Sequence, residues 1–425
     1  NGIRSLCVFV RRSDNLFSRS SMNAETKELA LKEKRLDIVV KFFYPVAAGI
    51  EVNIMETYGV FAKKGWDITV HASKDTLTEK NVLSDQEMHR GMTIRRYPFT
   101  SVGYFPRIEW EKTDAVCLHN FNVAPHFFLM LSALVRKLLG KKRPALFLTP
   151  HGGFNPEWSI FPWWQILLKR TYHFTVGVWL INRAVDGVRA VSEWERQEMI
   201  KHGIRPELVG VISNGLEDEA FGDVDAQASE TVKQTVRSWG RYIIQVGRVY
   251  GIKNYETVIR ALPHIPSDVK FVIVGPEADI AYRRTLETLA RDLGVSDRII
   301  FAGVIRGYDK YYCIKHAEMM VHMAIWESFC NVVHEGLSQG LVCIVADNTA
   351  LPLLIRDGVN GFVLPTKDSD ALAKKITFVL QNKDADEIRN IRIYNEQHGR
   401  DNSWESVAQK METWYEEKIS HIQTV

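Results

Sequence analysis

Two carboxylates, Glu327 and Glu335, stand with seven residues between them in the stretch Met319–Gly340, MMVHMAIWESFCNVVHEGLSQG. The stretch opens on an apolar run, Met319–Ala324, of the length of a buried strand, and the pattern after it predicts a helix from near Asn331. Strand, short loop and helix start form the place where an open α/β sheet holds a ligand, outside the carboxyl ends of its strands. The first N–H groups of that helix, at Cys330, Asn331 and Val332, have no acceptor within the helix and can hold an anion such as a diphosphate. Carboxylates beside such an anion accept hydrogen bonds from sugar or ribose hydroxyls. The chemistry this combination suits is that of a sugar nucleotide.

Other strand ends carry polar groups of the same use. The apolar run Arg241–Val246 ends in Gly247-Arg248, and Lys253-Asn254 follows a short loop. Arg as a fork and Lys as a point charge can together neutralise a diphosphate. In the first half, Ala115–His119 ends in His119-Asn120 and Ala145–Pro150 ends in His151-Gly152-Gly153. The turn Pro45-Val46-Ala47-Ala48-Gly49 joins a strand to a helix, and its small residues allow close approach to the backbone. An ordinary tight turn explains that feature equally well.

The elements that must position these residues alternate. Leu36–Tyr44, Trp66–Ala72, Met92–Pro98, Ala115–His119, Ala145–Pro150, Gly187–Val191 and Leu208–Ser213 read as strands with helix-like segments between them, including a helix over Ile50–Lys64. That alternation implies a parallel, doubly wound sheet. Leu216–Gln234 is polar with few large apolar residues and reads as a linker. The pattern then restarts, with strands at Arg241–Val246, Asp268–Val274, Arg298–Phe301, Met319–Ala324, Val342–Ala346 and Gly361–Leu364. A last helix, Asn402–Ile419, places Val407, Met411, Trp414 and Tyr415 on one face under a Ser403 cap and is expected to pack across both domains. The expected organisation is a leader over residues 1–35, an N-terminal Rossmann-like acceptor domain over 36–217 that also receives the helix 402–420, and a C-terminal Rossmann-like nucleotide-sugar domain over 218–395. The leader is expected to be poorly ordered, with Met22 a possible start.

A chain of 425 residues exceeds the size of a single core, in keeping with two domains. Net charge of +3 gives no case for nucleic acid. The five cysteines, Cys7, Cys117, Cys313, Cys330 and Cys343, are odd in number and scattered, which argues against a disulfide framework or a zinc site and fits a reducing cytoplasm. No apolar run reaches the roughly 18 residues of a membrane span; Phe174–Ile181 comes nearest. Pro125–Arg143 is nevertheless an apolar helix that ends in Lys137, Lys141, Lys142 and Arg143, and Asn155–Trp164 carries Trp158, Phe161, Trp163 and Trp164. The cations complement a helix dipole, and the rings suit a core; both also suit docking on the anionic inner face of a membrane.

The segment from Arg241 to Pro365 resembles the nucleotide-sugar domain of family 4 glycosyltransferases, which share the two-domain GT-B architecture with a central cleft. The match lies in QVGRVYGIKN, FVIVGP, IIFAGV, the Glu327–Glu335 pair and GVNGFVLP. The first half is similar through YPVAAGIE, TPHGG, AVSEWE and VISNGLE. The resemblance implies a donor site on the C-terminal domain: Arg248 and Lys253 on the phosphates, Glu335 on the ribose, Glu327 facing the donor sugar, backbone amides from Ser328, Phe329, Cys330, Asn331 and Val332, and Val304 near the base. It implies His151 near the reacting sugar carbon, Gly49 near the phosphates, a terminal helix that crosses back to the N-terminal domain, retention of anomeric configuration, and no metal or other cofactor. Ala48, Cys330, Asn348-Thr349-Ala350 and Leu353 depart from the family pattern, and a Cβ at position 330 narrows the space beside the donor.

The expectation is thus a retaining hexosyltransferase, with His151 and Glu327 at the reacting sugar. It would use a nucleoside-diphosphate sugar, by family frequency a UDP sugar, and a glycan or lipid-linked acceptor of envelope polysaccharide or glycolipid synthesis, with His119 and Asn120 as acceptor contacts. A soluble acceptor is the alternative to a membrane one. An epimerase or phosphorylase on the same fold and a non-catalytic nucleotide-sugar binder are the alternatives to transfer.

Overall fold

The computed structural model describes residues 34–46, 49–76, 79–101, 103–121 and 124–423. The expected leader lies, up to residue 33, outside the described residues, as do Ala47 and Ala48 of the first turn. Arg35, expected in the leader, instead opens the first strand.

The first half forms one eight-stranded sheet. Its strands are β1 (Arg35–Val39), β2 (Asp67–Ser73), β3 (Gln86–His89), β4 (Met92–Tyr97), β5 (Ala115–His119), β6 (Ala145–Thr149), β7 (Gly187–Ala190) and β8 (Val209–Val211). The order is β3-β4-β2-β1-β5-β6-β7-β8, parallel except where β3 pairs antiparallel with β4. β1, β5 and β6 are buried along nearly their whole length because helices cover both faces of the sheet. β3 was not expected: its QEMH has no apolar run, and it is half exposed at the sheet edge.

The second half forms a six-stranded, wholly parallel sheet of β9 (Tyr242–Val246), β10 (Lys270–Val274), β11 (Ile299–Gly303), β12 (Met319–His322), β13 (Cys343–Ala346) and β14 (Gly361–Leu364), in the order β11-β10-β9-β12-β13-β14. Strand order reverses between β9 and β12, the switch point at which doubly wound sheets hold ligands. The segment read as a linker is largely part of this half. Ser229 caps a helix, Glu230–Trp239, that buries Val232, Val236 and Trp239 in the second core. A few apolar residues suffice when they fall on one helical face.

The chain crosses between the halves elsewhere. Leu216 and Ser403 form a parallel bridge, and Leu216 N–H donates to Asn402 O at 2.8 Å. A Cβ at Gly215 would stand 2.6 Å from the Trp404 nitrogen, so the crossing segments touch only because residue 215 is glycine. The terminal helix, Trp404–Gln423, then packs on the N-terminal half, where Trp404, Val407, Ala408, Met411 and Tyr415 join its core. Trp414 lies against Gly187 and Phe147, and Glu412 accepts from Lys64 and from Trp66 Nε1.

Candidate functional site

The donor-side residues converge at the switch point. Lys253 Nζ lies 2.5 Å from Glu327 Oε1, and His322 Nε2, at the end of β12, lies 2.9 Å from the same oxygen. Burial favours the neutral carboxyl, but Lys253 and His322 outweigh it and hold Glu327 at about 2. Burial lowers the Lys253 pKa and Glu327 more than restores it, so the ammonium persists. Burial keeps His322 neutral despite Glu327. Thr349 Oγ1 accepts from Glu327 N–H and fixes the loop. Arg248 is exposed at the end of β9 and makes no ion pair among the described residues. His322 escaped the sequence reading, although it obeys the rule that singled out His119 and His151, a polar residue closing an apolar strand.

The expected helix spans Asn331–Ser338. Cys330 at its start takes φ 80° and ψ 73°. That left-handed conformation costs a residue with a Cβ about 1–2 kcal/mol, whereas glycine adopts it freely. Glu335 lies one turn in and is buried. Lys310 Nζ sits 3.2 Å from its Oε1 and 2.7 Å from Glu217 Oε2, while Glu335 Oε2 is buried with no partner. Burial, opposed by Lys310 and reinforced by Glu217, pushes the Glu335 carboxyl up to about 7. An unpartnered buried oxygen is what a ribose hydroxyl would satisfy. Nothing in the sequence around Lys310 marks it; only folding brings its helix, Gly307–Lys315, against Glu335.

At the carboxyl ends of β9, β10 and β11 lies a cavity of about 350 Å³ lined by Val249, Gly275, Pro276, Glu277, Arg283, Phe301, Gly303 and Val304. The Arg283 guanidinium lies 3.4 Å from the centroid of the Phe301 ring. Among the described residues, His322, Glu327 and Cys330 bring possible metal ligands within 4.8 Å of one another, but the Lys253 ammonium already engages Glu327.

The N-terminal side supplies His151, at φ 51° just past β6, and Gly49, the first residue of the Gly49–Lys63 helix. A Cβ built on Gly49 meets nothing, so the space over it is open. His151 Nε2 lies 2.9 Å from His119 Nδ1. Burial, helped by the charge of Arg189, pulls His151 down to about 3, so the ring is neutral. Glu195, whose motif AVSEWE stood out only by resemblance, is buried and accepts from the N–H groups of Gly152 and Val191, clamping the turn that carries His151. His119 departs from its expected role. It is fully buried behind His151, so its side chain has no surface with which to touch an acceptor. Asn120 caps its own turn through Oδ1 to Phe121 N–H at 2.8 Å.

The two sides meet. Ser192 Oγ donates to the Ser328 carbonyl at 2.6 Å, and Asn214 Nδ2 donates to Asn331 Oδ1 at 2.8 Å. The Trp326 ring lies so close to Gly152 that a Cβ there would be 2.1 Å from it. Phe329 is buried and stands edge-on to His334, and Val332 is half-buried one residue into the helix.

Two family sequence models divide the chain along these lines. The one described as Glycosyl transferases group 1 matches residues 228–398, and the one described as Glycosyltransferase Family 4 matches residues 47–220. The chain belongs to the family 4 glycosyltransferases. It spans about half the length of the curated relatives it matches. D-inositol 3-phosphate glycosyltransferase of Streptomyces bingchenggensis is 28% identical over 211 residues, 47% of this chain and 46% of that one. Among solved structures, Anabaena Alr3699/HepE in complex with UDP and glucose is similar with a TM-score of 0.70 and 18% identity, covering 91% of this chain and 100% of that one. Sucrose-phosphate synthase from Thermosynechococcus elongatus is similar with a TM-score of 0.72 and 17% identity, over 92% and 100%. This family 4 chain therefore has the GT-B fold, two parallel-sheet α/β domains about a cleft.

Proposed function

We propose that the chain is a retaining glycosyltransferase that moves a hexosyl group from a UDP sugar to a glycan or lipid-linked acceptor at an anionic membrane surface. Such a reaction belongs to envelope polysaccharide or glycolipid synthesis. The observation that carries the reading is the grouping of Glu335, with its unpartnered oxygen, and the Lys253–Glu327 pair around one helix start, with Gly152, next to the neutral His151, lying against Trp326 and Ser328. The UDP complex of the Anabaena neighbour supports the choice of base, and the cavity ending at Val304 offers the base a place.

In transfer, the bond from the sugar anomeric carbon to the diphosphate oxygen breaks. The acceptor oxygen takes its place, its proton is released, and the nucleoside diphosphate leaves. Arg248, Lys253 and the N–H groups at the start of the Asn331–Ser338 helix face the charge that develops on the leaving group. Donors already in place when charge appears lower a barrier by several kcal/mol. With Lys253 and Arg248 supplying the positive charge, the reading expects no metal requirement. Cleft closure excludes water that would otherwise hydrolyse the donor.

The lipid-linked acceptor rests on the Trp163–Tyr172 helix, in which no residue is buried. Trp163 is 76% exposed, and Trp164, Leu167 and Leu168 are exposed with it, above Lys169 and Arg170 in the last turn. The Val178–Ala184 helix that follows packs on His126–Leu138, where Phe128, Val135 and Leu138 are also exposed. Water does not stabilise such faces, whereas a membrane interface does. No helix among the described residues is long and apolar enough to cross a membrane, so the attachment proposed is peripheral.

Calorimetric titration with UDP, GDP and ADP in the presence of EDTA tests the donor site. UDP is expected to bind the wild type and to lose most of its affinity in Glu335→Ala. Failure of all three to bind the wild type would turn the reading toward a phosphorylase or a non-nucleotide ligand.

A further inference from the structure

His151 is the end of a buried chain of hydrogen bonds that starts on the terminal helix. Cys117 Sγ lies 3.3 Å from Tyr415 Oη, Tyr415 Oη lies 2.9 Å from Tyr58 Oη, Tyr58 Oη lies 2.9 Å from His119 Nε2, and His119 Nδ1 lies 2.9 Å from His151 Nε2. Cys117, Tyr415, Tyr58 and His119 are at most 1% exposed, so water does not interrupt the chain. The links come from three places in sequence. Tyr58 belongs to the Gly49–Lys63 helix, His119 closes β5, and Tyr415 belongs to the Trp404–Gln423 helix.

A neutral imidazole has one N–H and one lone pair, so at each histidine one contact fixes the sense of the other. Two senses give every hydroxyl hydrogen of the chain an acceptor within it. In one, the hydroxyls donate toward the histidines: Tyr415 to Tyr58, Tyr58 to His119 Nε2, and His119 Nδ1–H to His151 Nε2. His151 then carries its proton on Nδ1. In the other sense every bond reverses, and the Tyr415 hydroxyl must donate to the Cys117 sulfur. Sulfur is a weak acceptor, whereas imidazole nitrogen is a strong one for a phenol. The first sense places both phenols on good acceptors and leaves only the weak thiol donor at the far end. Burial and the charge of Arg189 keep both rings neutral, so each carries a single N–H.

We propose that Tyr415, Tyr58 and His119 set the tautomer of His151, so that His151 offers a protonated Nδ1 to the cleft, and that docking of the terminal helix thereby sets the state of the cleft histidine. His119, Tyr58 and Tyr415 are then positioning residues that act through His151. The catalytic part of this inference rests on the reading of His151 as a group at the reacting sugar; the tautomer does not.

Long-range proton–nitrogen NMR on the full chain with nitrogen-labelled histidine tests it without any ligand, the His151 signals being those lost in His151→Ala. The wild type is expected to show Nδ1 protonated and Nε2 bare. Tyr58→Phe and Tyr415→Phe, which keep the rings that pack, are expected to shift His151 toward the other tautomer or a mixture. Turnover of UDP-glucose, followed as UDP released, is expected to fall by about tenfold or more in kcat in both variants, with KM within about twofold of wild type, because a wrong tautomer spoils the reacting state more than binding. A wild-type His151 protonated on Nε2, or variants with unchanged histidine spectra, would overturn the inference. A wild type that neither binds nor turns over the nucleotide sugar would overturn the proposed function and leave the NMR result standing.

Discussion

At the scale of single residues, the site works by setting ionisation states through burial and a few close charges. Glu327 is held ionised by Lys253 and His322, while buried Glu335, which shares Lys310 with Glu217, is pushed up to about 7. An ionised Glu335 accepts from ribose hydroxyls and a protonated one does so poorly, so binding favours the ionised form. Affinity is then full above pH 7 and falls as pH drops through 7, by up to about tenfold per unit below it. Titration with UDP-glucose, whose diphosphate diester keeps its charge over this range, is expected to show that fall between pH 8 and pH 6. Glu335→Gln should bind more weakly and flatten the profile. A wild-type affinity independent of pH would assign the ribose contact elsewhere. Glu327 and Glu335 were legible in the sequence because they flank a strand-to-helix turn. Lys310 and His322 were not singled out, since a lysine in a helix and a histidine closing a strand are ordinary until the fold brings them to a carboxylate.

At the scale of elements, one hydroxyl does two things at the cleft. Ser192 Oγ accepts from Glu195 N–H at 3.2 Å, capping the Glu193–Lys201 helix, and its hydrogen goes to the Ser328 carbonyl across the cleft. Ser192→Ala loses both and is expected to lose about 1 kcal/mol of stability with the cap. Ser192→Asp caps again but cannot donate to Ser328. It should recover the thermal stability while leaving the donor KM raised and the cleft more open in small-angle scattering. If Ser192→Asp restores both, the cross-cleft bond does not govern closure. The helix start at Asn331 was readable from pattern. The linker was misplaced by the same kind of reading, because Val232 and Val236 show their value only when the second sheet lies under them.

At the scale of the whole molecule, the two sheets share a crossing at Leu216 and Ser403, and the outer face of the N-terminal half carries apolar residues that water would not select. Liposomes rich in anionic lipid are expected to co-float with the wild type at low salt and to lose it when Trp163 and Leu167 are both changed to Glu. Equal flotation of wild type and double variant would remove the membrane from the proposal and leave a soluble acceptor.

The sequence by itself determined every strand except β3, the parallel arrangement of those strands in two sheets and the strand ends that carry polar groups, because apolar runs and turn residues act over a few neighbours. It also carried the family through motifs spread along the whole chain. Only the tertiary structure decided which of those polar groups meet. It buried His119 behind His151, set Lys310 on Glu335, and brought Tyr415, from the end of the chain, to Tyr58 near its start. These are contacts between residues 25 to 357 positions apart, and no local pattern encodes a partner at such a distance.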